Sequence, residues 1–361
     1  MAELKWGFRV PFGEPVIGEE EIDAVVSVMR SGRLTEGPNV AQFEEEFRDF
    51  VGGGMAVAVS SCTAALHLAW MSLGVGPGQR VVVPALTHAA TAQAVLATGA
   101  DIVLCDVRPD GNLDPLKLRE VLKPDVTGIS VVHFLSGAAD VAAIREAAGN
   151  RHVVEDCALA VGTRKHGRHV GLFGDVGAFS FYPAKHITTG EGGIVLTRSP
   201  ERAEEIRLLR AFGKTMSADK EFDVKAFGIN YRMNEISAAI GIQQLKKLPA
   251  ILQRRRSNAV LFRDALGERA IGYDYAVSYL ASSPEAAAQI RRLMRAKNIE
   301  SSQYYPKPIH RLSYFQNKYG YQKGDFPIAE MISELSVTLS VGPHITGKNI
   351  DMMVNTIREV E

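Results

Sequence analysis

Residues 80–106, RVVVPALTHAATAQAVLATGADIVLCD, hold a short apolar run, a helical stretch and a second apolar run in direct succession. RVVVP (80–84) and DIVLCD (101–106) read as buried strands, and HAATAQAVLATG between them as a helix. The same alternation spreads along the chain. MAVAVS (55–60), GISVVHF (128–134), HVVED (152–156), GAFSFY (177–182) and GIVLTR (193–198) are further strand candidates, and TAALHLAWMSLG is a further helix. This pattern predicts an α/β fold with a mainly parallel central sheet flanked by helices. In such sheets ligands sit at the carboxyl ends of the strands, so chemistry is sought there.

Near residue 199 the pattern changes to long helical stretches, PERAEEIRLLRAF and NEISAAIGIQQLKKLPAILQRRRSNAVLFRDAL. A strand candidate, YAVSYLA (275–281), and two amphipathic helices, SPEAAAQIRRLMRAKN and TGKNIDMMVNTIREVE, complete the chain. The expected organisation is a large α/β domain over residues 1–244 and a smaller C-terminal α+β domain over 245–361. Residues 18–30, GEEEIDAVVSVMR, predict a helix with Ile22, Val25, Val26 and Met29 on one face and acids in its first turn.

Composition narrows the function. Across 361 residues, 41 Lys and Arg balance 41 Asp and Glu, which gives no global attraction for nucleic acid or an anionic membrane. No apolar run approaches the ~20 residues of a membrane span. The N-terminal MAELKWGFRVPFGEP lacks the apolar core of a signal peptide. Cys62, Cys105 and Cys157 are odd in number and far apart, unlike a disulfide framework or zinc knot. A soluble cytoplasmic protein is the expectation.

Three strand ends carry polar residues that make sense together. Ser60-Ser61-Cys62-Thr63 runs straight into a helix, where free amides and hydroxyls suit a phosphate, or simply cap the helix. HVVED ends on Asp156, which could hold a ring nitrogen protonated, or merely face water. Lys185 follows the apolar VGAFSFY and Pro183. It either snorkels to solvent or serves as an amine nucleophile toward an aldehyde. A phosphate site, an acid for a pyridinium nitrogen and a Schiff-base lysine are the requirements of pyridoxal phosphate. A metal site is not expected, because His166 and His169 sit in a glycine-containing turn with no third ligand placed by spacing. A dinucleotide site is not expected either, since GGGM (52–55) and GVGPG (74–78) precede strands rather than follow them.

With these motifs in hand, the chain resembles the DegT/DnrJ/EryC1/StrS aminotransferases. The likeness is carried by SGRLTEGPNVAQFEEEF, SSCTAALHLA, VVVPALTH, VVEDCALAVG, GDVGAFSFYPAKHITTGEGGIVLT and INYRMNEISAAIGIQQL. The resemblance implies PLP fold type I, aspartate aminotransferase-like, with pyridoxal 5'-phosphate alternating with pyridoxamine phosphate. It assigns Lys185 as the Schiff-base and proton-carrying lysine and Asp156 as the partner of the pyridinium nitrogen. Thr63 and Ala64 match the phosphate-binding turn, Ser180 a further phosphate ligand, and His88 the ring stacked on the pyridine face. Asn230 matches a residue that reaches the neighbouring subunit's phosphate, so a homodimer with shared active sites is implied. A lysine at 185 separates the chain from the dehydratase branch, which has histidine there.

Three departures accompany the likeness. Leu159 stands where many relatives carry a hydrogen-bonding residue near the cofactor, Arg33 replaces a common Trp near the substrate entrance, and the stretch between Arg263 and Pro284 is short. The implied function is transfer of an amino group from glutamate or glutamine to a keto sugar, foremost a nucleotide-linked 4-keto-6-deoxy sugar, in polysaccharide or glycosylated-metabolite biosynthesis. A keto cyclitol or sugar phosphate as acceptor, or a catalytically inactive regulatory protein, are the alternatives.

Overall fold

The computed structural model describes residues 7–216 and 221–361. Its large sheet contains β1 (Met55–Val59), β2 (Arg80–Pro84), β3 (Asp101–Cys105), β4 (Val126–Val132) and β5 (His152–Asp156). A small hairpin of β6 (Arg164–Lys165) and β7 (Arg168–His169) intervenes before β8 (Val176–Ser180) and β9 (Gly193–Thr197) complete the sheet. The spatial order is β1-β9-β8-β5-β4-β2-β3. Pairings among β3, β2, β4, β5 and β8 are parallel, whereas β9 runs antiparallel to both β1 and β8. The reason lies in the connection. Residues 181–192 link β8 to β9 without a crossover helix, and a direct return can only produce an antiparallel neighbour. That link carries Lys185.

Both faces of the sheet are covered, so Val81, Val82 and Val83 are all buried on a continuous apolar strand. Helix Cys62–Ser72 lies across it with Trp70 fully buried. The indole presses on Gly128 of β4, where an added Cβ would stand 2.5 Å from the ring. Any side chain there would displace Trp70.

The smaller unit is an antiparallel sheet of β12 (Ala270–Gly272), β13 (Ala276–Leu280) and β14 (Ser336–Ser340). Helices Pro284–Ala296 and Gly347–Arg358 cover it around Phe262, Ile290, Met294 and Leu339. Helix Glu235–Leu266 runs unbroken through residues 244 and 245 and packs on both units. β10 (Lys214–Met216) and β11 (Phe222–Val224) form an exposed hairpin. Among the described residues, no helix is long and apolar enough to cross a membrane.

The first helix, Glu19–Ser31, forms as its sequence predicts, yet its apolar stripe points outward. Ile22, Val26 and Met29 are exposed, while Glu21 and Val28 are buried. Glu21 explains the orientation. Its carboxylate caps the helix through the Gly18 amide at 2.8 Å and bonds Gln244 at 2.8 Å and Lys247 at 2.7 Å. A polar anchor thus turns the aliphatic side chains away from the rest of the chain.

Candidate active site

β5 ends on two carboxylates that point to opposite faces, as successive strand residues must. Glu155 is consumed structurally: it pairs with His133 Nε2 at 2.9 Å and accepts the amides of Gly171, Phe173 and Gly174. Asp156 is 5 % exposed and faces helix Ala89–Leu96. Its Oδ2 accepts the Thr91 hydroxyl at 2.8 Å and its Oδ1 the Ala158 amide at 3.0 Å. Thr87 lies 2.8 Å from the same Thr91 oxygen. Each carboxylate oxygen accepts about two bonds, so Asp156 keeps free lone pairs for a ligand.

Lys185 sits on the return from β8, in a turn closed by its amide on the Tyr182 carbonyl at 2.9 Å. Its Nζ lies 5.2 Å from the centre of the Tyr275 ring. Buried Arg255 donates to the Lys185 carbonyl at 3.4 Å and to the carbonyls of Asp274 and Tyr275. One guanidinium therefore ties the lysine turn to the smaller unit.

His88, Cys62 and Tyr305 complete the surround. His88 caps helix Ala89–Leu96 through the Ala90 amide. Desolvation and then the Lys185 charge lower its pKa, against an opposing pull from Asp156. The Cys62 thiol is pushed up, first by burial and then by Asp156, with Lys185 opposing. Burial and Asp156 likewise raise the Tyr305 phenol, whose ring stands 5.9 Å from His88. Lys185, Asp156 and His88 thus share one electrostatic neighbourhood with Cys62. The cysteine stays a thiol there, because its thiolate would be desolvated beside a carboxylate.

The phosphate candidates meet across β9. Gly193 pairs with Val59 on one side and Ser180 on the other. A Cβ on Gly193 would stand 2.6 Å from the Ser61 carbonyl, so only glycine lets these strands draw the helix start against Ser180. Ser61 caps that helix, accepting the Ala64 amide at 3.1 Å. The first-turn amides of Cys62 and Thr63 have no intrahelical acceptor, and no acid occupies the first turn. Ser180 is buried, and the Thr63 side chain is exposed.

Asn230 lies apart. It is exposed, bridges Ala211, and accepts Arg232 Nε at 3.2 Å. No contact among the described residues joins it to Lys185 or Asp156. Leu159 is buried and contributes its carbonyl to Ser136 at 2.5 Å, while Arg33 is exposed. His169 commits both ring nitrogens, Nε2 to the Gly162 amide and Nδ1 to the Val170 carbonyl. The cluster of His133, Glu155 and Cys157 has ligand-like spacing, but its histidine and carboxylate are already filled by internal bonds. Sequence reasoning missed Thr91, Tyr275 and Tyr305. Tyr275 and Tyr305 join the site from the smaller unit, far along the chain, and Thr91, though only three residues past His88, stands in no motif that announces it.

This arrangement brings an amine, a buried carboxylate and an open helix start to the carboxyl ends of neighbouring strands. The sequence matches the DegT/DnrJ/EryC1/StrS aminotransferase family over residues 15–358, and the chain belongs to that family. It is 34 % identical to the spore coat polysaccharide biosynthesis protein SpsC of Bacillus subtilis, over 97 % of each chain. It is 33 % identical to the dTDP-3-amino-3,4,6-trideoxy-alpha-D-glucose transaminase of Streptomyces venezuelae, over 97 % of this chain and 96 % of that one. Among solved structures, the PLP-form of Spr1654 from Streptococcus pneumoniae superposes with a TM-score of 0.92 at 27 % identity, covering 97 % of this chain and 98 % of that one. The protein is a pyridoxal phosphate-dependent aminotransferase. The residues present fit the cofactor. The open amides, the Gly193 approach and Ser180 suit its phosphate, and the free lone pairs of Asp156 suit a protonated ring nitrogen.

Proposed function

We propose that this enzyme is a sugar aminotransferase that moves an amino group from glutamate or glutamine to a nucleotide-linked 4-keto-6-deoxy sugar, in polysaccharide or glycosylated-metabolite biosynthesis. When bound, pyridoxal phosphate supplies an electron sink and carries the amino group between the two half-reactions. Lys185 Nζ binds the cofactor's aldehyde carbon. Freed when the donor's amine takes its place on the cofactor, it would carry the proton off the donor's α carbon in the first half and onto the acceptor's carbon in the second. Asp156 would hold the ring nitrogen protonated, with Thr91 orienting that carboxylate. Cys62, Thr63, Ala64 and Ser180 would hold the phosphate, His88 would stack on the ring, and Tyr305 would close the cleft from the smaller unit. The observation that carries this reading is Asp156 at the end of β5, with Lys185 on the return from the adjacent β8 and the helix start at Cys62 beside both.

The working unit is a homodimer in which Asn230 serves the neighbour's phosphate site. Support comes from apolar side chains left in water: Met216, Phe222, Val224 and Phe227 on and beside the β10–β11 hairpin, and Ile22, Val26 and Met29 on the first helix. The transaminase relative, named for a nucleotide-linked amino sugar, supports a nucleotide-linked acceptor, although its own amino group stands on carbon 3 rather than carbon 4.

The test follows the cofactor's absorbance while purified holoenzyme meets glutamate, glutamine and other amino donors, then keto-sugar nucleotides, with product identified by mass. Loss of the visible band with a donor and its return with a 4-keto-6-deoxy sugar nucleotide are expected. Return only with a keto cyclitol or a free sugar phosphate would overturn the acceptor assignment.

A further inference from the structure

The short stretch after Arg263 is not absorbed by the aminotransferase chemistry. In the structure it is the tight hairpin β12–β13, and beside it opens a cleft of about 790 Å³. This volume lies within the range of small-molecule sites, ~300–1,000 Å³. The cleft lies between the second half of helix Glu235–Leu266 and the loops at 136–138 and 162–165.

Four cationic side chains line it, Arg164, Lys165, Arg256 and Arg263, against one carboxylate, Asp274. Three of the cations are engaged. Arg164 bonds the carbonyls of Phe50 and Gly167, Lys165 faces Asp140 at 3.4 Å, and Arg256 Nε bonds Asp274 Oδ2 at 3.0 Å. Arg263 is exposed and has no ion pair among the described residues. Its guanidinium rests 4.7 Å over the half-exposed ring of Tyr273.

Asp274 supplies the second, independent observation. It is 5 % exposed, and its Oδ1 makes no hydrogen bond of ordinary geometry; His186 Nε2 stands off at 3.5 Å, and against the cost of burial His186, Ser136 and Arg256 together hold the carboxyl's pKa down to about 2. A buried carboxylate oxygen whose donors stand off at long range still has room to accept a further hydroxyl, amide or water. The hydroxyls of Ser136 and Thr163 also line the cleft, and Leu252 and Val260 give it an apolar wall beside the Tyr273 ring. The lining thus offers an anion receptor, a hydroxyl receptor and a flat hydrocarbon surface.

We infer that this cleft is a binding site for a phosphorylated sugar, with phosphate at Arg263 and Lys165, a hydroxyl on Asp274 Oδ1, and the sugar's C–H face against Tyr273. The cleft's lining includes none of Lys185, Asp156, His88 or Cys62, and the inference stands whether or not the acceptor proposed above is correct. Asp274 touches His186, the residue after Lys185, and Arg255 holds the Asp274 and Lys185 carbonyls together.

Glucose 6-phosphate is the probe, titrated calorimetrically into cofactor-loaded enzyme at fixed ionic strength, with glucose and inorganic phosphate alongside. The expected result is saturable binding of glucose 6-phosphate, tighter than either fragment, and lost by at least about tenfold in Arg263→Glu, the loss of one charge-assisted contact. Arg263→Gln should fall between. Arg263 is a surface residue, so fold and basal transamination are unchanged in both variants. No saturable heat with the wild type, equal binding of inorganic phosphate, or binding untouched by Arg263→Glu overturns the inference.

Discussion

The role proposed for Asp156 needs its carboxylate held in one orientation, and Thr91 is the side chain that holds it. Asp156→Asn removes the charge that keeps a ring nitrogen protonated, so kcat should fall by at least about tenfold, the equivalent of 1.36 kcal/mol of barrier. Thr91→Val keeps the shape and removes one charge-assisted hydrogen bond of about 1.5–3 kcal/mol. It should therefore lower kcat by roughly tenfold with little change in KM for the donor. Steady-state rates with saturating cofactor check both; wild-type kcat in Asp156→Asn would remove it from the site. The contrast also shows what the sequence could reveal. The places of Asp156 and Lys185 stood out in the sequence because one closes an apolar strand and the other follows one, each with a charge that is out of place there. Thr91 did not, since a threonine inside an alanine-rich helix looks like filler until the fold brings it to a carboxylate 65 positions away.

At the scale of elements, ends and seams decide stability. Helix Pro327–Leu335 begins at Phe326, which provides no side-chain cap. Asp106, just beyond β3 in the large unit, caps it from outside, accepting the amides of Ile328 at 3.0 Å and Ala329 at 2.9 Å. Asp106→Ala should cost about 1 kcal/mol of stability, in line with lost caps, and Asp106→Asn less, because one acceptor survives. Denaturant midpoints with unchanged slopes would confirm it. The helix went unread because its capping residue lies more than two hundred positions upstream. β12 and β14 went unread because each is short and its partner strand is remote. Hairpin β6–β7 gives a pH prediction. His169 is fully buried, and burial lowers its pKa from 6.5 to about 4. Between these values the unfolded chain binds a proton that the folded chain refuses. Stability is therefore intact above pH 6.5 and lost as pH falls toward 4, by about 3 kcal/mol from this residue. His169→Gln should flatten that part of the stability profile. An unchanged slope would assign the acid sensitivity to the other buried histidines.

On the scale of the whole molecule, the question is why one chain leaves so much apolar surface uncovered. The first helix exposes Ile22, Val26 and Met29, and the β10–β11 hairpin exposes Met216 and Phe222. Monomers rarely leave contiguous apolar patches of this kind in water. The proposed two-fold assembly gives these side chains a partner surface, and it gives Asn230, exposed and unconnected to its own chain's Lys185, a place in the neighbour's site. The motif order in the sequence suggested this assembly only through family likeness; the outward apolar stripe adds a physical reason. If sites are shared, neither a Lys185→Ala homodimer nor an Asn230→Asp homodimer should be active, since the first lacks the amine and the second sets a carboxylate beside a phosphate. Co-expressing the two chains with different tags yields a heterodimer in which one site pairs an intact Lys185 with the partner's intact Asn230, while the other carries both defects. That species, isolated by sequential affinity steps, should recover up to about half of wild-type turnover per dimer, as expected for one intact site of two independent ones. Full activity in Asn230→Asp alone, or a dead heterodimer beside active wild-type controls, would show that each chain builds its own site. The exposed patches would then have to serve some contact other than catalysis.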